Sequence, residues 1–244
     1  MIDQLLSELR KMRSTRTNLG LLAGMIGLTL LTVLVNGFVL SANELQTHDN
    51  QHTLLSAGTN GALFAALIGV MAITSEYRHG TIRPTFVVTP DRRRVIAAKV
   101  VASLLMGVAF GIVAIALSFG VGYAILAGRG IDFALATNHV LLLLLGTLFM
   151  TALWAALGVG LGSVVKNQVF AVIGVIIWAF VIDNLLRELV PDAGRFTPVA
   201  ASDSMTAGFA DYLLAPVAGG LLLLGYVVTF VAAGALVVAR RDVT

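Results

Sequence analysis

Six long apolar runs, divided by short polar stretches, dominate the chain: 19–40, 54–74, 100–127, 140–165, 169–190 and 217–239. About 20 residues at 1.5 Å rise cross a ~30 Å hydrocarbon core, so each run is long enough to span a bilayer as a helix. The third and fourth have length to spare for tilt or for extension past the bilayer. A membrane barrel would instead show alternation over about ten residues per strand. The pattern predicts an all-α, polytopic protein of six transmembrane helices, organised as a single transmembrane domain over 1–244.

The polar stretches carry their own signals. Over 1–17, Ile2, Leu5, Leu6, Leu9 and Met12 interleave with Asp3, Glu8, Arg10, Lys11 and Arg13 at helical spacing, which predicts an amphipathic helix in the interface. The linker between the fourth and fifth runs is only Lys166-Asn167-Gln168. The 191–216 segment is long and punctuated by Pro191, Gly194, Pro198 and Gly208. Met205, Phe209, Tyr212 and Leu213 fall at helical spacing in its second half. It is too short to span and is expected to re-enter or cap the bundle. Gly20/Gly24, Gly107/Gly111 and Gly158/Gly162 are small-xxx-small pairs that let helix backbones approach.

Composition excludes a soluble globule, because 58% of residues are hydrophobic and only 12% charged, against about 45–50% and 25% in soluble domains. There is no cysteine, so neither disulfides nor thiolate metal sites are available. The net charge of +3 and isoelectric point near 9.6 do not imply nucleic acid, since the cations lie beside the apolar runs. Thirteen of the sixteen Lys and Arg residues fall on one side of the six-span arrangement. Only Arg129, Arg187 and Arg195 fall on the other, together with Glu44, Asp49, Asp132, Asp192, Asp203 and Asp211. The positive-inside rule therefore predicts cytoplasmic termini, Arg240 and Arg241 included, in a multi-pass cell-membrane protein. The first run is longer than a signal-peptide core and follows Asp3 and Glu8, so it is expected to stay.

Catalytic signatures are missing. No GxxxxGK[ST] phosphate loop occurs, and Gly158-Val-Gly160-Leu-Gly162 lies inside an apolar run with no preceding strand. His48-Asp49-Asn50-Gln51-His52 imitates a zinc-protease motif, but with Asp for Glu and no third ligand, so a polar outer loop is expected. Of the six spans only the fifth carries ionisable residues between its ends, and they lie near its outer end: Asp183, Arg187 and Glu188. Asp183 and Arg187 are spaced i,i+4 and form either an interfacial pair or an outer gate. Thr29, Thr32 and Asn36 make a polar stripe expected to hydrogen-bond between helices. The chain is thus not expected to be an enzyme or to bind a cofactor or metal, and any energy must come from a partner.

The 75–99 loop is the richest feature. Arg78, Arg83, Arg92, Arg93, Arg94 and Lys99 place six cations in it. Gly80-Thr81 breaks the helix leaving the second run, and Pro84 ends any turn near Arg83. Thr89 is expected to N-cap a new helix, with Pro90 first inside it and Asp91 in its first turn. With Glu76-x-Arg78-x-Gly80-Thr81-Ile82, Thr89-Pro90, Arg92–Arg94 and Lys99, the chain resembles the permease subunits of ABC-2-type (type V-like) exporters. The resemblance covers the whole chain in layout and 75–99 in motif. It implies two permease chains, identical or different, with two separate ATP-binding cassette subunits that hold ATP and Mg. It further implies that Glu76, Tyr77, Arg78, His79, Gly80, Thr81, Ile82 and Arg83 form a coupling helix, with a smaller contact at Lys166, Asn167 and Gln168. The 1–17 helix would be a connecting helix, and spans two and five would line the path. A hydrophobic or amphipathic cargo fits the lightly polar spans. A passive channel or lipid-binding scaffold with a merely topogenic loop, and a secondary transporter, remain the alternatives.

Overall fold

The computed structural model describes the chain except residues 1, 83, 85–86, 88–90, 207–211 and 241–244. Among the described residues all regular secondary structure is helical, and six helices are long and apolar enough to cross a membrane. It is an all-α, multi-pass membrane protein. Arg83, Arg241 and Asp211, counted in the charge asymmetry, lie outside the described residues.

Helix α1 (Ile2–Ser14) turns Leu5, Glu8, Leu9 and Met12 toward the bundle. The corner that follows is fixed locally: Thr15 Oγ1 donates to Lys11 O at 2.6 Å, and Asn18 Nδ2 donates to Met12 O at 2.8 Å. Helix α2 (Arg16–Val39) then buries only Met25, Thr29, Val33 and Gly37, a single i,i+4 stripe. The carbonyls at its end, orphaned like those of any helix terminus, are met by Arg129, which donates to Gly37 O (2.6 Å) and Leu40 O (2.8 Å).

Residues 48–52, expected to be a polar loop, instead open helix α3 (His48–Leu55). Thr47 accepts from Asn50 N as N-cap, and Asp49 sits in the first turn, where the helix dipole favours it. A 3-10 turn (Ser56–Asn60) leads into α4 (Gly61–Arg78). Helix α5 runs over Arg92–Gly128 and α6 over Thr137–Val165. The expected cap of α5 moves by two residues. Asp91 is the N-cap, accepting from Arg93 N and Arg94 N, while Thr89 and Pro90 lie outside the described residues.

Helix α6 stops at Lys166, whose φ of 59° is left-handed, and Asn167 caps α7 (Gln168–Ile177) by accepting from Val169 N and Phe170 N. A π-helical turn, Trp178–Ile182, separates α7 from α8 (Asp183–Leu189). The Phe180 carbonyl within it receives Asn184 Nδ2 at 3.0 Å. Short α9 (Pro191–Gly194) and α10 (Pro198–Thr206) precede α11 (Pro216–Arg240). The capping helix therefore begins earlier than Met205, Phe209, Tyr212 and Leu213 suggested. Tyr212 and Leu213 are non-helical, and Gly208 and Phe209 lie outside the described residues.

Glycines decide which helices meet. A Cβ on Gly69 of α4 would collide with Ala155 O of α6, and one on Gly158 would collide with Ala66 O. Gly107 and Gly111 of α5 likewise face Thr151 on α6. These backbones approach as small-xxx-small packing requires. Gly20, by contrast, faces open space, and Gly24 meets only the flexible Phe64 ring. The result is a centre of α4, α5 and α6, with α2 and α7–α8 at the periphery: 67% of the second span's apolar window is buried, against 17% for the first and fifth.

Candidate functional site

At the end of the bundle that carries α1 and the start of α5, four side chains form a closed charge network. Lys99 is two turns into α5 and fully buried. Its Nζ donates to Glu8 Oε2 (2.7 Å), Glu76 Oε1 (2.8 Å) and Ala72 O (3.0 Å). Lys11 Nζ donates to Glu8 Oε1 (2.9 Å) and Glu76 Oε1 (3.0 Å). Two carboxylates thus share two ammonium groups, and the cluster is neutral. Lys99 spends all three of its donors, which is the condition for a desolvated ion to be tolerated. Burial pulls the Lys11 ammonium pKa down, but the hydrogen bonds and charges of Glu8 and Glu76 outweigh it and hold the pKa above the usual lysine value.

The network joins α1, the last turn of α4 and the first turns of α5, the three segments that bracket the basic loop. Glu76 Oε2 is buried without a hydrogen-bond partner, and a cavity of about 500 Å³ lies beside it, lined by Lys11, Asn18, Ser75, Glu76, Arg78 and Gln168 among others. Sequence reading placed Glu76 and Lys99 in the loop motif but missed Glu8 and Lys11 as their partners. The signal was present: Glu8 lies on the apolar stripe with Leu5, Leu9 and Met12, not on the solvated face.

The two loops expected to act together are brought together. Lys166 Nζ stands 5.6 Å from the centre of the Tyr77 ring, and Arg78 Nη1 donates to Gln168 Oε1 at 3.4 Å. His79 Nδ1 lies 2.8 Å from Ser75 O at the end of α4, and Gly80 turns the chain with a φ of 69°. Thr81 is exposed, Ile82 is buried, and Arg83 lies outside the described residues. Arg92 Nη1 donates to Val238 O at 2.8 Å, attaching the start of α5 to the end of α11.

At the opposite end, Asp183 and Arg187 do meet, with Arg187 Nε 2.6 Å from Asp183 Oδ2. The pair is a charge contact without an aligned hydrogen bond, which leaves both Asp183 oxygens and Arg187 Nε and Nη2 without hydrogen-bond partners. Arg187 Nη1 donates instead to Asp203 Oδ2 at 2.7 Å. Linear counting left Asp203 in an outer connection. In the fold α10 packs against the middle of α6, where Trp154 Nε1 donates to Ser202 Oγ at 2.7 Å.

The polar stripe of α2 is a seam at one point. Asn60 Nδ2 donates to Thr32 Oγ1 at 3.0 Å, Asn36 Nδ2 turns back to Thr32 O, and Thr29 Oγ1 is buried without a partner. The histidines do not converge: His48 Nε2 meets His139 Nδ1 at 2.7 Å, while His52 Nε2 lies 2.8 Å from Thr206 O. No group of three or more metal-ligating residues occurs among the described residues.

Compared with known proteins, the chain matches no family model and no curated protein.

Proposed function

We propose that this chain is the permease subunit of an ATP-driven exporter of the ABC-2 type, with its loop-bearing end in the cytoplasm of the cell-membrane face. Its partners are a separate ATP-binding cassette subunit, which holds ATP and Mg, and a second permease chain. The observation that supports the reading most is the Glu8–Lys11–Glu76–Lys99 network. A loop that only sets topology needs cations near the membrane, not a largely buried ionic joint that ties three helices together. A joint of that kind makes α1, α4 and α5 move as one piece, so force applied at the 76–83 turn or at Lys166–Gln168 reaches two spans at once. The adjoining cavity offers a partner both charges. α10, packed against the middle of α6, is read as the re-entrant element.

Work done on such a lever can bias a two-state bundle only through contacts that differ between its states. Purification of the tagged chain in mild detergent, with identification of stoichiometric partners and a nucleotide-hydrolysis assay, tests the proposal. A co-purifying ATPase whose hydrolysis depends on this chain is the expected result. Glu76→Ala and Gly80→Pro are expected to insert normally yet separate hydrolysis from transport, because proline cannot adopt the left-handed φ of Gly80. Coupled transport at the normal rate in both variants, or a preparation free of ATPase that conducts without nucleotide, would overturn it.

A further inference from the structure

Beside α10 lies a cleft of about 170 Å³ bounded by Leu28 of α2, Asn60 of the 3-10 turn, Met150 and Trp154 of α6, Phe180 of the π turn and Asp203 of α10. Apolar walls with a few convergent polar groups are the usual make-up of a small-molecule site. The walls here are apolar or aromatic, while Thr59, Asn60, Ser202 and Asp203 supply the polar groups. Three features say which chemistry it suits.

The first is charge. Asp183 and Asp203 share a single cation, Arg187, so the cluster carries one uncompensated negative charge in apolar surroundings. The second is position. Asp203 is the one charged residue among those lining the cleft, and its side chain is 43% exposed although Arg187 holds its Oδ2. A carboxylate among apolar and aromatic walls suits a cationic occupant. The third is the backbone. The fifth span departs from α-helix only at Trp178–Ile182, and Ala179 and Phe180 of that turn line the cleft. π turns recur at functional sites because they re-aim side chains at the expense of regular hydrogen bonding. Phe180 is 59% exposed at the rim, which leaves the cleft open to an occupant with an apolar tail.

We propose that this cleft binds a lipophilic ammonium ion, with the Asp203 carboxylate as its counter-charge and the Trp154 and Phe180 rings contributing cation–π and apolar contact. A charged group placed at this depth is expensive and, when present, marks a ligand or ion path. Identification of the ammonium as cargo rests on the exporter reading, whereas binding itself does not. α10 adds the Asp203 carboxylate to that of Asp183 in the fifth span.

The test uses the full chain in phosphatidylglycerol nanodiscs without nucleotide or partner. Trp178→Phe leaves Trp154 as the only tryptophan of the chain's two. Quenching of Trp154 is titrated with benzyltrimethylammonium and, separately, with benzenesulfonate. Saturable binding of the cation, at least tenfold tighter than that of the anion, is expected. Asp203→Asn should weaken it tenfold or more and Asp203→Glu by less. Phe180→Leu, at an exposed position that does not hold the fold, should weaken it about two- to tenfold. Equal binding of the two probes, or a dissociation constant unmoved by both Asp203→Asn and Phe180→Leu, would overturn the proposal.

Repeating the titration with phosphatidylethanolamine in the disc separates the two sources of the same chemistry. Weaker probe binding there identifies a competing aminolipid, and unchanged binding identifies a lipophilic amine from water. Cation binding without any co-purifying ATPase would keep the site and remove the exporter reading. A coupled ATPase with no cation binding would do the reverse.

Discussion

Replacing Lys99 by methionine tests whether the inner network is a joint or an incidental contact. The substitution keeps an unbranched chain of similar length and deletes the ammonium. Three hydrogen bonds disappear, to Glu8, Glu76 and Ala72. More important, two nearly buried carboxylates are left with Lys11 alone, so a neutral cluster acquires one negative charge. Breaking a buried pair by removing one partner costs about 3–5 kcal/mol, because the surviving charge stays desolvated. Lys99→Met should therefore destabilise the chain by about that amount.

Glu8→Gln alone leaves an excess cation and should also cost, though less, since Lys11 is half exposed and can turn to water. The double variant Glu8→Gln/Lys99→Met restores neutrality with Glu76 and Lys11 as the remaining pair. It should be more stable than Lys99→Met by about 2 kcal/mol or more, a coupling well outside the ~0.5 kcal/mol scatter of independent sites. Reversible unfolding in mixed micelles, followed by tryptophan emission over the full double-mutant cycle, measures the term. Additivity within that scatter would refute the claim that these residues act as one unit.

Other substitutions probe separate parts of the fold. Gly158→Ala directs a Cβ at the Ala66 carbonyl of α4 and should cost about 1–3 kcal/mol in the same assay, whereas Gly20→Ala, facing open space, should be near neutral. Asp91→Ala removes the side chain that caps α5 and should lower stability by about 0.5–2 kcal/mol, with Asp91→Asn largely restoring it. Arg129→Met leaves the Gly37 and Leu40 carbonyls without their donor and should raise amide exchange at the end of α2 without altering the Glu8–Lys99 coupling energy.

The six spans were legible because each is a continuous apolar run, a signal that depends on length alone. The end of α4 at Gly80 was legible for a local reason: a glycine with φ of 69° stops a helix wherever it stands. The missed features all depend on which faces meet. Helix α3 was hidden because His48–His52 is polar on every side and owes its helicity to Thr47 and to continuity with α4. The partners of Lys99 lie 91 and 23 residues away, and only packing puts them within 3 Å. Asp203 looked like an outer-loop carboxylate, because charge counting along the chain carries no information on where a non-spanning helix docks. Even so, Glu8 on an otherwise apolar stripe was a visible anomaly, and anomalies of that kind point to a partner on another element.

The two ionic clusters are opposites, and the difference fits a division of labour. The inner one is neutral, saturated at Lys99, and joins three elements, so it resists change. The outer one sets two carboxylates against one guanidinium, so it keeps an excess negative charge that an added cation would balance. Between them runs an unbroken line of contact. α5, at 1.5 Å per residue, extends about 55 Å from Arg92 to Gly128. It carries Lys99 near one end and presents Gly107 and Gly111 to α6, and Trp154 of α6 holds Ser202, the neighbour of Asp203. Contact alone makes this a path; coupling requires that the line have a second arrangement which both ends bias. Among the described residues Trp154–Ser202 is the one side-chain hydrogen bond between α6 and α10, and the π turn beside the cleft is where the fifth span departs from regular α-helix. A displacement of α5 at the inner joint would then reach the cleft through these two points, and the cation's counter-charge is attached to one of them.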